Sequence, residues 1–150
     1  MEVAEIEAEF AGLELPRFDE STALRLGQIL VDLALSEELA VVIDIRTADR
    51  TLFHAALPGS APLNDLWARR KSNTALMFHL PSLLIGRRNL SLGETLARHG
   101  LPHEDYADNG GAVPIRVAGV GMVAVATVSG LPQVQDHKLV VRAIKTLMAG

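Results

Sequence analysis

The sequence predicts an α+β fold, in which an antiparallel sheet of about five strands is flanked by helices on both faces. Three observations lead to this prediction. Short apolar strand patterns occur in neighbouring pairs, helical patterns precede, separate and follow those pairs, and turn residues stand between them. With 150 residues, 49% of them hydrophobic, the chain matches the size of one domain with its own core, residues 1–150.

The first third of the chain predicts two helices with an edge strand between them. Residues 2–12 carry apolar side chains at helical spacing and end in a glycine, which favours a short helix. Residues 13–18 alternate between apolar and polar side chains, and their proline restricts them to the edge of a sheet. Asp19 or Ser21 is expected to cap the next helix. Gly27, in the middle of that helix, is consistent with a close contact to a neighbouring element.

The middle of the chain predicts a β-hairpin, a long helix and a short one. Residues 40–46 and 51–57 are two apolar strand patterns on either side of a polar turn, as in a hairpin. A helix is expected to begin at Pro62 and to end or kink at Pro81, because proline suits the first turn of a helix and breaks its interior. A short helix is predicted over residues 91–99, before an irregular polar loop.

The last third predicts two strands and a closing helix. Residues 113–117 form a short strand with an early proline. Residues 122–128 are almost wholly apolar, and a strand without polar alternation is one that is buried on both faces. Pro132 then suits the first turn of a helix. The apolar positions of that helix recur at spacings of three and four: Leu139, Val140, Ala143, Ile144 and Leu147.

Composition argues against several classes of function. A net charge of -4 and an aromatic content of 4% argue against general nucleic-acid binding, which needs basic surfaces and stacking platforms. The absence of cysteine excludes disulfides, zinc–thiolate sites and thiol nucleophiles. No apolar run is long enough to span a bilayer, and the acidic start is unlike a secretory signal. We therefore expect a cytoplasmic protein without nucleic-acid or membrane partners.

Charge is unevenly distributed along the chain. The first twenty residues contain seven acidic side chains and one arginine, whereas residues 66–90 contain five lysines and arginines and no acid. Two solvated faces that balance each other account for this distribution. Two alternatives remain open: the acidic start of one subunit meets the basic segment of another, or the basic segment receives an anionic ligand.

Several short motifs resemble the haem-degrading-domain family, which includes the HbpS-like and GlcG-like small oligomeric proteins. The motifs are Gly-Gly-x-x-Pro-Ile from Gly110, Val-Ser-Gly-Leu-Pro-Gln-x-x-Asp-His from Val128, Ile-Asp-Ile-Arg from Ile43, and Leu-Phe-His-Ala-Ala-Leu-Pro-Gly from Leu52, followed by Asn64, Trp67, Arg70 and Lys71. The resemblance covers roughly residues 14–149 and is strongest to a cytoplasmic branch of the family. It implies a profilin-like arrangement of α/β/α layers, self-association, and tetrapyrrole binding or slow haem breakdown.

Asp44 and Arg46 are the two charged side chains of an otherwise apolar strand. Because side chains alternate along a strand, both lie on one face of the sheet. Buried charges need partners, so these two are expected to pair with each other or with Arg70, Lys71 or Asp136. A structural ion pair and a pocket lining are both consistent with this pattern.

The helix after the hairpin places an aromatic ring beside two cations. Trp67, Arg70 and Lys71 stand at positions i, i+3 and i+4 and so share a helical face. This face suits a planar anionic ligand that stacks on the ring and places its carboxylates on the cations. It suits a subunit contact equally, since tryptophan and arginine anchor interfaces.

The break between the last strand and the last helix carries three further candidates. Ser129 is predicted either to cap the helix or to hold an anion together with the free N–H groups of the helix start. Asp136 lies near the positive end of the helix dipole. His137 is either an exposed helix residue or part of a pocket or subunit contact. The turn Asn109-Gly110-Gly111 marks a close approach of the backbone.

The histidines give no pattern typical of a metal site. His99 and His103 have a spacing of four but are separated by Gly100 and Pro102, so they do not share a helical face. No structural metal is therefore predicted. Coordination of haem by His54 or His137 remains a separate hypothesis that the resemblance raises.

Two hypotheses follow. The first is an oligomeric small-molecule-binding protein that binds itself and a small anionic or tetrapyrrole ligand, with haem as the candidate cofactor. The second is a non-catalytic oligomeric protein-interaction module, with a chaperone or targeting partner. The candidate ligand-binding residues are Asp44, Arg46, Trp67, Arg70, Lys71, Asn109, Gly110, Gly111, Ser129, Asp136 and His137.

Overall fold

The computed structural model describes residues 1–150 and contains one five-stranded sheet. The strands are β1 (Glu14–Leu15), β2 (Val42–Arg46), β3 (Thr51–Ala56), β4 (Ala112–Val117) and β5 (Gly121–Ser129). Their spatial order is β1-β4-β5-β2-β3. The predicted α+β class and the number of strands are confirmed. Three pairings are antiparallel, but β1 runs parallel to β4, so the sheet is mixed. Because β1 contributes only two residues, the sequence pattern carries no signal of its direction.

Helices cover both faces of the sheet, as predicted. They are α1 (Val3–Ala11), α2 (Glu20–Ser36), α3 (Pro62–Phe78), α4 (Ser82–Leu92) and α5 (Gln133–Ala149), with a 3₁₀ turn at Leu96–His99. α2 and α5 pack on one face and form the main core with the sheet, while α3 packs on the other face. None of these helices combines the length and the apolar character that crossing a membrane requires.

The predicted short helix over residues 91–99 is wrong. α4 instead begins at Ser82 and ends before Gly93, whose φ of +64° closes the helix. The helical period of apolar residues is weak in α4, because two arginines and Asn89 interrupt it. Asn89 is nevertheless buried, and its side-chain amide donates to Asp108 Oδ2 at 2.9 Å.

α3 packs against the sheet through small and polar side chains instead of its large apolar ones. The side chains buried along it are Ala68, Lys71, Ser72, Thr74 and Ala75. Small residues allow the helix axis to lie close to the sheet, and the hydroxyls satisfy one another, as in the 2.8 Å hydrogen bond between Ser72 and Thr127. The large apolar residues Leu63, Leu66 and Met77 therefore point outward.

Strand β5 lies in the middle of the sheet, and its burial is largely as predicted. Residues 124–129 are buried, whereas Gly121 is exposed and Met122 and Val123 are half-buried. The close contact expected at Gly27 is present, since a Cβ atom there would lie 2.4 Å from the ring of Phe53 on β3. α2 therefore approaches the sheet as closely as it does only because position 27 has no side chain.

The acidic start and the basic segment meet within one chain. α1 packs on α4 through Ile6, which lies against Leu83 and Leu84. Glu7 and Arg88 add an exposed ion pair at 3.7 Å, which contributes little because water screens it. Part of the charge asymmetry in the sequence is thus neutralised between two helices of the same molecule.

Candidate functional site

A buried lysine joins three parts of the molecule at the end of β5. Lys71 is 2% exposed, and its ammonium group donates to the carbonyls of Gly110 at 3.0 Å and Val128 at 2.7 Å, and to Asp136 Oδ2 at 3.0 Å. All three N–H groups therefore have acceptors. Asp136 Oδ1 in turn accepts a hydrogen bond from the N–H of Leu131 at 2.9 Å. We call these contacts the Lys71 clamp.

Burial acts on both charges of the Lys71 clamp. Removal from water lowers the pKa of Lys71 and raises the pKa of Asp136, and the attraction between the two groups partly offsets both effects. The double-glycine turn makes room for this pair, because a Cβ at Gly111 would lie 2.4 Å from Lys71 Nζ. The sequence prediction that Lys71 lies beside Arg70 on a ligand-facing surface is therefore wrong in its geometry, since Lys71 points into the protein.

Above the Lys71 clamp lies a cleft of about 240 Å³, which we call the Ser129 cleft. It is lined by Leu63, Asn64, Trp67, Lys71, Ser129, Gly130, Leu131, Gln133 and Asp136. Ser129 is the last residue of β5 and pairs with Val42, and it does not cap α5, which begins at Gln133 with Pro132 before it. The capping alternative for Ser129 is thus wrong.

A second group of charges lies on β2, β3 and α3. Arg46 Nε donates to Asp44 Oδ2 at 2.7 Å, and this hydrogen bond raises the pKa of Arg46. His54 bridges two carboxylates, with Nδ1 3.0 Å from Asp44 Oδ1 and Nε2 2.8 Å from Asp65 Oδ1. These residues line the Asp44 cleft, of about 260 Å³, together with Leu66, Ala68 and Arg69. Asp44 is 3% exposed, so the predicted pairing with Arg46 is what compensates its charge.

A larger cleft of about 560 Å³ opens beside Arg70, between α3, the 3₁₀ turn and the loop before β4. Its lining includes Arg70, Leu96, Leu101, Pro102, His103, Tyr106 and Asn109. The Arg70 guanidinium stacks on the ring of Trp67 at 4.2 Å from the centroid. Its Nε is buried and has no hydrogen-bond partner. The lining of this Arg70 cleft therefore includes a cation stacked on an aromatic ring, and the buried Nε of that cation has no partner within the protein.

His137 is buried, so the alternative of an exposed helix residue is wrong. It is 1% exposed, and its Nε2 lies 2.7 Å from Glu9 Oε1 of α1. Burial lowers the pKa of His137, and the Glu9 carboxylate offsets part of this effect. The residue lies at the contact between α5 and α1 and lines none of the three clefts.

The burial of neutral His137 predicts a loss of stability on acidification. The unfolded chain binds a proton near the ordinary pKa of 6.5, whereas the folded chain binds it only at lower pH. Between these two values the unfolded state holds more protons, so the free energy of unfolding falls by up to about 1.4 kcal/mol per pH unit as pH decreases. Urea titrations from pH 7.5 to 5 measure this slope. This slope should be smaller in His137→Gln. It should persist in the control His79→Gln, because His79 is exposed. Equal slopes in all three proteins contradict the assignment.

The structure does not bring the predicted site residues together in one pocket. It distributes them among the three clefts and the protein interior. Asp44 and Arg46 line the Asp44 cleft, and Arg70 and Asn109 line the Arg70 cleft. The Ser129 cleft is lined by Trp67, Lys71, Ser129 and Asp136. Gly110, Gly111 and His137 are buried. The stacking of Arg70 on Trp67 brings the Arg70 and Ser129 clefts together.

Sequence reasoning missed several of the residues that line the Arg70 cleft and the Asp44 cleft. Leu101, His103 and Tyr106 lie in a segment that was predicted only as a polar loop, and Asp65 was not singled out. One signal for these residues was available in the sequence: the chain's only tyrosine and a histidine occur within one short loop. No group of three or more His, Cys, Asp or Glu side chains is arranged to hold a metal ion.

Comparisons with known proteins agree with this architecture. The family model described as haem degrading protein HbpS-like matches residues 18–145. The UPF0303 protein SCO2848 of Streptomyces coelicolor is 47% identical over 144 residues, which are 95% of this chain and 91% of that protein. The crystal structure of Ybr137w protein superposes with a TM-score of 0.92 at 28% identity, covering 100% of this chain and 90% of that chain.

A more distant structure shares the fold alone. The crystal structure of the PduOC:haem complex superposes with a TM-score of 0.73 at 18% identity, covering 85% of this chain and 93% of that chain. The family model spans most of the sequence, and the Streptomyces coelicolor relative is matched across almost its whole length. The chain therefore belongs to the HbpS-like haem-degrading family.

Proposed function

We propose that this protein binds a small planar anionic ligand in the Arg70 cleft, and that the ligand is haem. The observation that carries the proposal is Arg70, a cation stacked on Trp67 with a buried, unpartnered Nε at the wall of a cleft. A guanidinium at the wall of a cleft can form a charge-assisted hydrogen bond with a ligand carboxylate. The choice of haem rests on the family and on PduOC, which has been crystallised as a haem complex.

The size and the apolar part of the Arg70 cleft suit a tetrapyrrole, whereas Glu104 and Asp108, which also line it, oppose a second negative charge beside them. Its volume of about 560 Å³ falls within the range typical of small-molecule sites. Leu96, Leu101 and Pro102 offer apolar surface, and Tyr106 adds an aromatic ring. Arg70 offers a fork of donors for a propionate. When bound, haem supplies an iron centre whose properties depend on its axial ligands and surroundings.

The other two clefts fit such a ligand less well. The Asp44 and Ser129 clefts have volumes of about 260 and 240 Å³, below the usual range for cofactor sites. In the Asp44 cleft, Arg46 is already paired with Asp44, and both ring nitrogens of His54 face carboxylates. In the Ser129 cleft, the donors of Lys71 are all used within the protein.

Arg70→Gln is expected to weaken haemin binding by about tenfold or more, because a hydrogen bond to a charged group contributes about 1.5–3 kcal/mol. The measurement is a haemin titration followed by the Soret band. Arg69→Gln is the matched control. It removes the same charge from the preceding residue, which lines the Asp44 cleft instead. No Soret shift at micromolar haemin, or equal affinities in the Arg70→Gln and unchanged proteins, contradicts the proposal.

Self-association through the outer surface of α3 is the second candidate. Leu63 and Leu66 are 60% and 49% exposed and stand one turn apart beside Trp67, a combination typical of an interface core. Light scattering at low micromolar concentration should find an oligomer that Leu63→Glu with Leu66→Glu dissociates. Leu35→Glu, at a position 51% exposed on α2, should leave its mass unchanged. A strictly monomeric unchanged protein contradicts this candidate.

A further inference from the structure

We infer that the Ser129 cleft is a second binding site, separate from the Arg70 cleft, and that its ligand is a small aliphatic monocarboxylate. Three observations carry this inference. A buried serine hydroxyl faces the cleft without a partner, the uncapped start of α5 borders it, and the charges that line it cancel. None of these observations depends on the binding of haem, so the inference goes beyond the proposed function.

The alternation of strand β5 directs the side chain of Ser129 into the cleft. Thr127 contacts α3 through the 2.8 Å hydrogen bond between its hydroxyl and that of Ser72. Ser129 stands two residues later in an unbroken register, so its side chain lies on the same face of the sheet, toward the first turns of α3. The residue is only 3% exposed, and its hydroxyl has no hydrogen-bond partner within the protein. Its oxygen is not sealed from solvent, so a ligand in the cleft can reach it.

The start of α5 places unpaired N–H groups at the border of the same cleft. α5 has 17 residues and begins at Gln133, which lines the cleft. No side chain caps this end, and the backbone N–H groups of Gln133 and Val134 have no acceptor in the protein. Such a helix start favours a negative group through its free donors and the positive end of its dipole. A hydroxyl and a helix start together suit the two oxygens of a carboxylate.

The charges that line the cleft limit the ligand to one negative charge. Asp136 is the only acid of the lining and Lys71 its only base, and the two are paired at 3.0 Å. All three N–H groups of Lys71 have acceptors within the protein, so no free cation remains to compensate a dianion. Because the pair is neutral as a whole, it does not repel a monoanion at the helix start.

The rest of the lining defines the remainder of the ligand. Leu63, Trp67 and Leu131 offer apolar surface. The volume of about 240 Å³ lies below the range typical of cofactors and drug-sized molecules. The cleft therefore suits a short alkyl chain that ends in a carboxylate, and butyrate is a suitable probe of this chemistry.

The test uses the fluorescence of Trp67, which is the chain's only tryptophan and lines the cleft. Sodium butyrate, added at constant ionic strength, should change this fluorescence with saturation. Butyramide, which has the same shape but no charge, should bind ~10-fold more weakly, and so should inorganic phosphate as a dianion. Ser129→Ala should weaken butyrate binding by ~10-fold or more, because a hydrogen bond to a charged group is lost. Ser91→Ala is the matched control, since its exposed hydroxyl donates within α4.

A stability measurement separates ligand binding from a structural role of Ser129. Ser129→Ala removes a hydroxyl without a partner, so it should not lower the urea midpoint. Ser72→Ala should lower it, because that hydroxyl bonds both Thr127 and the carbonyl of Ala68. Equal losses of stability in these two variants overturn the inference. It is also overturned if butyrate gives no saturable change, if butyramide or phosphate binds as tightly, or if Ser129→Ala binds butyrate with unchanged affinity.

Discussion

Lys71→Met is expected to lower the free energy of unfolding by about 3–5 kcal/mol, because it leaves a buried carboxylate without its partner. Methionine keeps the length of the side chain but cannot donate a hydrogen bond. Asp136 then loses its counter-ion, and the carbonyls of Gly110 and Val128 lose their donor. Urea denaturation measures the difference. The expected loss is much larger than that of an exposed substitution because Lys71 is almost fully buried.

Two further variants separate the lost ion pair from a general packing defect. Lys71→Met with Asp136→Asn should recover a large part of the loss, since the amide oxygen still accepts from the N–H of Leu131 and no buried charge remains. Arg69→Met, on the exposed side of the same helix, should change stability by less than about 0.5 kcal/mol. A Lys71→Met protein as stable as Arg69→Met contradicts the Lys71 clamp.

Gly111→Ala is expected to cost about 2–5 kcal/mol, from backbone strain and overpacking together. Gly111 has a φ of +138°, which a residue with a side chain adopts only under strain. An added Cβ would also lie 2.4 Å from both Lys71 Nζ and the carbonyl oxygen of Val128. It therefore pushes the ammonium away from the acceptors that compensate its charge. Thermal and urea unfolding measure the change.

Gly119→Ala isolates the backbone contribution. Gly119 also has a positive φ, +76°, but nothing lies within 4 Å of an added Cβ. Its substitution should cost only about 1–2 kcal/mol, the strain of a left-handed residue. If the two alanine variants lose equal stability, the close approach of Gly111 to Lys71 contributes nothing and the account of the turn is wrong.

The sheet and its main helices were predictable because their burial leaves a simple pattern in the sequence. Residues 122–128 form a run that is apolar except for Thr127, and that run lies in mid-sheet with most of its residues buried. The pairing of Asp44 with Arg46 was also predictable, since alternation alone places both on one face. α4 was missed, since its charged and amide side chains break the apolar period on which the prediction depends.

The site was harder to predict than the fold because helical spacing does not say which side of a helix meets the sheet. In α3 the large apolar residues face outward, and the buried side consists of small and polar ones. Lys71 therefore points inward while Arg70, one position earlier, reaches a different cleft. The contribution of His103 and Tyr106 depends on how a loop folds over α3, and no local pattern encodes that contact.

A crystal structure of the protein with haemin tests the central claim most directly. The account predicts density for one tetrapyrrole in the Arg70 cleft, with a propionate within hydrogen-bond distance of the Arg70 guanidinium. Tetrapyrrole density in the Asp44 or Ser129 cleft, or an empty Arg70 cleft at saturating haemin, would contradict it.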